Sequence, residues 1–364
     1  MIRNEEVRFR IKRNGAEFAE IFPFGNSAPT LQANGKSQLK MSLRGTFLAY
    51  GMDSDGRKVS IDWLNDEIKP VLIENGEEKA LGVLLVATVK NKSEGNLETV
   101  EIEAYDRTWR VRDSRKTTQA YYQQGSLYLD VIESLIVESG IELISRTETD
   151  SALTEDREDW DVGTSNLDIA NELLREINYN EVWFDAMGAA MLQPKSRPIA
   201  ENVQHIFTER KPDPRNQKEV GIIKIYPQIS KSTDIYNVPN VFICICSNAD
   251  KSGVMKAVAE NVNIDSPFSI QRRGRRITKV EKLSNIASLE ALQSYANQKV
   301  AESIMSVERI QIQTRLQSGF GIEDIVALQT QNNLGICIEK AWSMDLKPGG
   351  VMTHDLEKVV YNFG

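Results

Sequence analysis

The chain has 364 residues, and its 44 Lys and Arg face 52 Asp and Glu, leaving a formal charge of -8. That balance argues against a general nucleic-acid binder, which needs a basic surface. With 41% hydrophobic and 26% charged residues the chain is expected to fold, and its length suggests roughly two to four compact units.

The first stretch, MIRNEEVRFRIKRNG, is charged throughout and lacks an apolar core, so no secretory signal is expected. The longest apolar run, ALGVLLVATV, is about half a membrane span. A soluble chain made in the cytoplasm follows as the expectation. To about residue 116 the sequence reads as strands. EVRFRIKR alternates, SQLKMSLRGTFLAY is a longer strand-like run, and ALGVLLVATVKNKSEGNLETVEIEAYD is two strands joined by a turn at NKSEGN. Val100, Ile102 and Ala104 point one way and Thr99, Glu101 and Glu103 the other, as in a one-sided sheet or a barrel wall.

The middle changes period. GSLYLDVIESLIVESG places Leu127, Val131 and Leu135 beside Tyr128, Ile132 and Ile136 at helical spacing, with Ser126 as N-cap and Gly140 as stop. TSNLDIANELLREIN predicts a second helix, with a Ser165/Asp168 capping pair and a stripe of Leu167, Ala170, Leu174 and Ile177. NEVWFDAMGAAMLQP predicts a hairpin turning near Met187 and Gly188. Prolines 198, 212 and 214 then mark 196–219 as a linker candidate. Strands return in EVGIIKIYP, NVFICIC and ERIQIQTRL, with a long helix in SLEALQSYANQKVAESIM carrying Leu289, Leu292, Ala296, Val300 and Ile304 near one face.

Candidates for chemistry are few. Cys244, Cys246 and Cys337 form no CxxC pair, and the first two share one strand face, where reduced thiols pack as small hydrophobes. Neither a metal site nor a cofactor site is expected from them. Ser343, Asp345 and His354 can be drawn as a triad, but KPGG between them is turn chemistry and favours a turn joining two strands. The acidic TEDREDWD lacks the apolar neighbours that would raise a carboxyl pKa, so it reads as a solvated loop. No phosphate-binding loop occurs, and GFG at 319–321 is too short for a dinucleotide fingerprint. No catalytic residue is assigned.

SIQRRGRRI is the conspicuous basic cluster. Locally it reads as a glycine turn carrying solvated arginines. The alternative is docking, with Arg272, Arg273, Arg275 or Arg276 pairing with carboxylates on a neighbouring subunit or partner.

One long stretch carries a resemblance. YNVPNV entering a strand, NIDSPFSI before a turn glycine, a helix through ALQSYANQKVAES, and IEKAWSMDLKPGGVMTHDLEKV near the end occur in an order similar to the baseplate hub proteins of contractile phage tails and phage-tail-like bacteriocins. This is the late-control protein D superfamily, and the likeness is strongest to its Gram-positive prophage branch. VEIEAYDRTW, followed by the 126–140 helix, looks like that family's exit from its first barrel.

The resemblance implies an α+β fold with two tail-tube-like antiparallel β-barrel domains, an intervening small α/β domain and a helix-containing insertion. The expected divisions are 1–117 for the first barrel, 118–200 for the α/β domain, 201–219 for a linker, and 220–364 for the second barrel, with its helix at about 285–305. It implies a homotrimer, a ring with pseudo-sixfold symmetry joining a hexameric tail tube to a trimeric spike around an axial channel. A threefold object meets a sixfold one when each subunit offers two similar surfaces.

Partners implied are the tail tube or tube-initiator protein, the central spike, the tape measure protein and other baseplate proteins. Specific nucleic-acid binding and stable membrane insertion are not expected, and a conduit for DNA favours an acidic or neutral lumen. The protein is expected in the bacterial cytoplasm during assembly and then in the baseplate, acting as a structural protein and not an enzyme. With the sequence ending soon after its last predicted strand, the peptidoglycan hydrolase some relatives append is not expected. The rival expectations are a tail-associated peptidoglycan hydrolase and a receptor-binding tail module.

Overall fold

A computed structural model describes residues 4–196, 198–210, 221–233, 238–247, 254–283, 289–304, 306–331 and 334–360. Strands dominate, with few helices. The chain divides into two compact units. The first comprises Met1–Gln228, Ile312–Leu334 and Ile338–Asp355, and the second is built on Ile229–Gln311.

The N-terminal strands of the first unit are β1 (Glu5–Arg13), β2 (Ala16–Ile21), β3 (Thr30–Asn34), β4 (Met41–Leu48), β5 (Gly51–Met52), β6 (Lys58–Val59), β7 (Glu67–Glu74), β8 (Glu77–Ala80), β9 (Leu84–Glu94) and β10 (Leu97–Asp106). Antiparallel pairing runs β4–β10–β9–β7–β1–β2. It returns to β4 through the Pro23–Phe47 bridge and the Phe24 N–H bond to the Thr46 carbonyl, 2.8 Å. The circuit is therefore closed, a small barrel with no free edge along its wall.

Its interior is filled by alternate residues of each strand: Phe9 and Ile11, Leu43 and Phe47, Ile68 and Leu72, Val100 and Ile102. Phe9 and Phe47 meet edge to face, ring centroids 5.0 Å apart. The predicted inward set of Val100, Ile102 and Ala104 is buried as expected, and Thr99 is buried too.

The next segment holds α1 (Thr108–Asp113), α2 (Tyr128–Glu138), β11 (Ile144–Arg146), α3 (Asn166–Glu176), β12 (Trp183–Phe184) and β13 (Ala190–Leu192). Its sheet runs β11–β13–β12, the first pair parallel and the second antiparallel. Leu129, Ile132, Leu135 and Ile136 of α2 share a core with Leu167, Leu173 and Leu174 of α3. The predicted cap of α3 is present, since Ser165 Oγ accepts the Asp168 N–H at 3.1 Å and donates to Asp168 Oδ2 at 2.6 Å.

The predicted cap of α2 is not present. Leu127 occupies the N-cap position without a side-chain bond, because Ser126 instead pairs its carbonyl with the Leu153 N–H at 2.9 Å. TEDREDWD also differs from a solvated loop. Trp160 is buried, Arg157 lies over its ring at 4.8 Å, and the same guanidinium holds Asp159 and Glu176. An aromatic and a cation anchor the run that its acidic majority made look free.

The remainder contains β14 (His205–Thr208), β15 (Gly221–Lys224), β16 (Ser230–Thr233), β17 (Val241–Ser247), β18 (Val254–Glu260), α4 (Ile270–Arg273), β19 (Thr278–Leu283), α5 (Leu289–Ile304), β20 (Ser306–Arg315), β21 (Ile325–Gln329), β22 (Leu334–Asp345) and β23 (Val351–Val360). In the first unit β14 is parallel to both β15 and β21, Ile225 bridges Thr314, and β22 pairs antiparallel with β3. The stretch 201–219, expected to be a linker, thus contains a strand whose Phe207 is fully buried. Residues 211–219, with Pro212 and Pro214, lie outside the described residues. The KPGG turn joins β22 and β23, and a Cβ on Gly350 would lie 2.0 Å from the Asp345 carbonyl oxygen, so no other residue fits.

The second unit carries more than a helix. Strands β17, β18 and β19 form a sheet of order β18–β17–β19, with β17–β18 antiparallel and β17–β19 parallel. Helix α5 covers one face, setting Leu292, Ala296 and Val300 against Phe242, Cys244, Cys246, Ala257 and Ala259. Both cysteines are reduced and fully buried, as the strand pattern predicts. Leu289, expected on the apolar stripe, is 51% exposed at the helix start. The predicted entry YNVPNV lies partly outside the described residues, as does the helix segment 285–288.

Candidate docking surfaces

Ser343, Asp345 and His354 do not converge into a triad. Asp345 is exposed at the end of β22, whereas His354 is fully buried. His354 Nδ1 lies 2.5 Å from Glu339 Oε1, and its Nε2 lies 3.0 Å from Thr314 Oγ1. Its ring packs against Phe207 at 4.8 Å and Phe320 at 4.9 Å. Burial pushes the Glu339 carboxyl above its usual range, opposed by the attraction of His354. The other histidine, His205, lies tilted against Phe320 at 4.2 Å and approaches Asp324 at 3.7 Å. The His354–Glu339 pair is sealed and leaves no room for a substrate, which fits a structural role. Among the described residues no group of His, Cys, Asp and Glu forms a metal-binding cluster.

The arginine cluster sits in the second unit on a one-turn helix. Ser269 Oγ caps α4 by accepting the Arg272 N–H at 3.2 Å, and Gly274 ends it in the left-handed region at φ 63°. The turn predicted around the glycine is present. Its arginines are held by neighbours in the same unit. Arg272 Nε donates to the Ile264 carbonyl at 3.0 Å, Arg273 lies 5.0 Å above the Phe268 ring, and Arg276 pairs with Glu260 at 2.6 Å. Asn240 Nδ2 donates to the Arg275 carbonyl at 3.0 Å, stitching the turn to the start of β17. Arg272, Arg275 and Arg276 stay exposed, so the cluster is a basic surface with a fixed backbone.

A second surface lies on the β9–β10 hairpin. The run NKSEGN, predicted as a turn, is mostly strand: β9 continues to Glu94, and only Gly95 and Asn96 form the turn. Gly95 at φ 61° suits the first position of a type II′ turn. The hairpin projects past the barrel wall, because β9 pairs with β7 only at Leu84 and Leu85. Among the described residues, 86–94 pair with β10 alone.

A two-residue turn makes Glu94 and Leu97 the hydrogen-bonded closing pair. Alternation then directs the N–H and C=O of Val89, Asn91 and Ser93 away from β10, along an open edge. Both hairpin faces are wet there, which is why its sequence is polar on both sides. The signal available was the shortness of the glycine turn within a run that keeps β alternation.

Beside the hairpin lies a groove of about 980 Å³ lined in part by Phe24, Asn26, Arg44, Lys90, Lys92 and Glu101. Glu101 takes Lys90 at 3.4 Å and Lys92 at 3.5 Å, and these cations hold its carboxyl below the usual range. The Tyr105 hydroxyl and then Arg44 do the same for Glu103. Chemically the arrangement offers strand pairing along the edge and charge pairing along the groove.

No protein-family model matches this sequence, and no curated protein sequence does. The three-dimensional comparison is informative: the chain has the fold of phage tail proteins. Superposition on a tail protein from Neisseria meningitidis covers 98% of this chain and 97% of that one, with TM-score 0.65 at 12% identity. The 43 kDa tail protein of prophage MuSo2 from Shewanella oneidensis gives TM-score 0.63 at 11% identity, covering 97% and 98%. The prophage tail protein gp18 from Listeria monocytogenes gives 0.52 at 11%, covering 96% and 94%.

Proposed function

We propose that this chain is the structural hub of a contractile-tail baseplate, adapting a hexameric tube to a trimeric spike as a homotrimer around an axial channel. The observation that carries the reading is the closed N-terminal barrel with a nine-residue open edge on its projecting hairpin, in a chain that follows the tail-protein fold over nearly its whole length. An edge strand with unpaired backbone groups is a template for a strand of another subunit, and cyclic repetition of that contact closes a ring. The partners of such a hub are the tube or tube-initiator protein, the spike, the tape measure protein and other baseplate proteins. Assembly takes place in the bacterial cytoplasm, and the particle's baseplate is the final location.

The arginine turn is the proposed secondary contact, using Arg272, Arg275 and Arg276 toward carboxylates of a neighbour, with Arg273 holding the turn on Phe268. No bond chemistry is required of any residue. Chemical cross-linking of tail particles containing this protein, read by denaturing mass measurement, should trap a trimer at the tail axis. Monomer alone from intact particles, or density on the tail periphery, overturns the hub. Charge reversal of all four arginines should reduce incorporation into particles, and unchanged incorporation removes them from the interface.

A further inference from the structure

Among the described residues, the β17–β19 sheet leaves most of one face exposed, with only Val241 at one end of it buried. Residues alternating with the α5-facing set point outward: Ile243 and Ile245 on β17, Val254, Lys256 and Val258 on β18, Val280 and Lys282 on β19. The register sorts them into rows. Val258, Ile243 and Val280 lie side by side as an apolar row, and Lys256, Ile245 and Lys282 form the row next to it. Val254 is 69%, Val280 52% and Val258 39% exposed. Neither Lys256 nor Lys282 has an ion-pair partner among the described residues. In the row on the opposite side of the apolar one, Glu260 lies beside Val241 and is already held by Arg276. The outer face is thus apolar in the middle and cationic at its margin, inside a chain of net charge -8.

On the inner face the cover is a helix with small and branched residues at Leu292, Ala296 and Val300. We infer that the outer face is a docking site for an amphipathic helix of another protein, one whose apolar stripe is flanked by Asp and Glu. The stripe would lie along Val258, Ile243 and Val280, and its acidic flank would meet Lys256 and Lys282. Charge selects this occupant over a second copy of the same face, which would bring lysine against lysine. Among the described residues the face has no aromatic side chain on which bases could stack, which disfavours single-stranded nucleic acid. A flat sheet of short branched side chains has no long apolar element to insert into a bilayer.

The test uses the full-length protein and two synthetic helical peptides of about five turns each. Both carry the same leucine stripe, one flanked by glutamate and the other by lysine. Fluorescence anisotropy should give saturable binding of the glutamate peptide. Binding should weaken about tenfold in a Lys256→Glu/Lys282→Glu variant, and that variant should gain affinity for the lysine peptide. Both substitutions are at exposed positions, and an unchanged melting temperature certifies the fold. The inference is overturned if the glutamate peptide fails to bind, if both peptides bind the parent protein equally, if anionic phosphatidylglycerol vesicles compete the peptide away, or if Val258→Glu induces loss of a dimer formed by the free protein.

Discussion

Replacing His354 with alanine is expected to lower the unfolding free energy by about 3–5 kcal/mol, because it leaves the Glu339 carboxyl buried without its hydrogen-bond partner. His354 and Glu339 are 0% and 1% exposed, and Glu339 Oε2 already has no partner among the described residues, so none of them stands ready to replace the imidazole. The ring also fills the space between Phe207 and Phe320, and a cavity there adds to the loss.

The deficit should depend on pH in a defined direction. Burial places the folded Glu339 pKa above the ordinary glutamate value of about 4.3. The folded state therefore retains a proton there that the unfolded chain releases. The associated stability is present below the unfolded pKa and is lost as pH rises through the folded one. Without His354 to offset the charge, the variant should be least impaired near pH 4 and most impaired above neutrality. Urea denaturation between pH 4 and pH 8 measures this. Adding Glu339→Gln to the alanine variant should recover part of the loss at high pH. A loss below about 1 kcal/mol at all pH values would mean that the pair is not the keystone of its sheet.

The second large effect is expected in assembly. On the hub function proposed above, Asn91→Pro should leave the isolated protein folded while abolishing the trimer formation and incorporation into tail particles which that function requires. Asn91 directs its N–H to the free side of β9, so proline removes no bond to β10 and is tolerated as on any edge strand. Lys90→Pro is the control. Lys90 faces its β10 partner Glu101 through the hydrogen-bonded register, so proline there breaks the hairpin itself and should lower stability as well. Native mass measurement and thermal melting separate the two. If Asn91→Pro assembles normally, the open edge is not the subunit contact.

Much of the fold was legible in the sequence. The alternation through Val100, Ile102 and Ala104, the Ser165 capping pair, the KPGG turn and the Cys244/Cys246 face each report a local constraint. Each is present in the structure as read. The arginine turn was legible as a turn for the same reason, since Gly274 supplies the left-handed residue that ends α4. Its contacts were not, because Glu260 and Phe268 become neighbours only after β18 and the following loop have packed.

Strand β14 was missed because its short apolar core, Ile206 and Phe207, sits in a proline-rich stretch and has no period of its own. Parallel pairing with β15 and β21, the latter about 120 residues away, is what makes it a strand.

The sequence by itself determined which residues turn inward and where the chain must reverse, since side-chain period and backbone allowance are properties of neighbours in the chain. Only the tertiary structure decided that the first strands close on themselves, that β9 outruns its partner to leave an open edge, and that His354 belongs with Glu339 and not with Asp345. Those outcomes depend on pairing register and burial between distant segments, and a residue's environment there is set by whatever the rest of the chain brings to it.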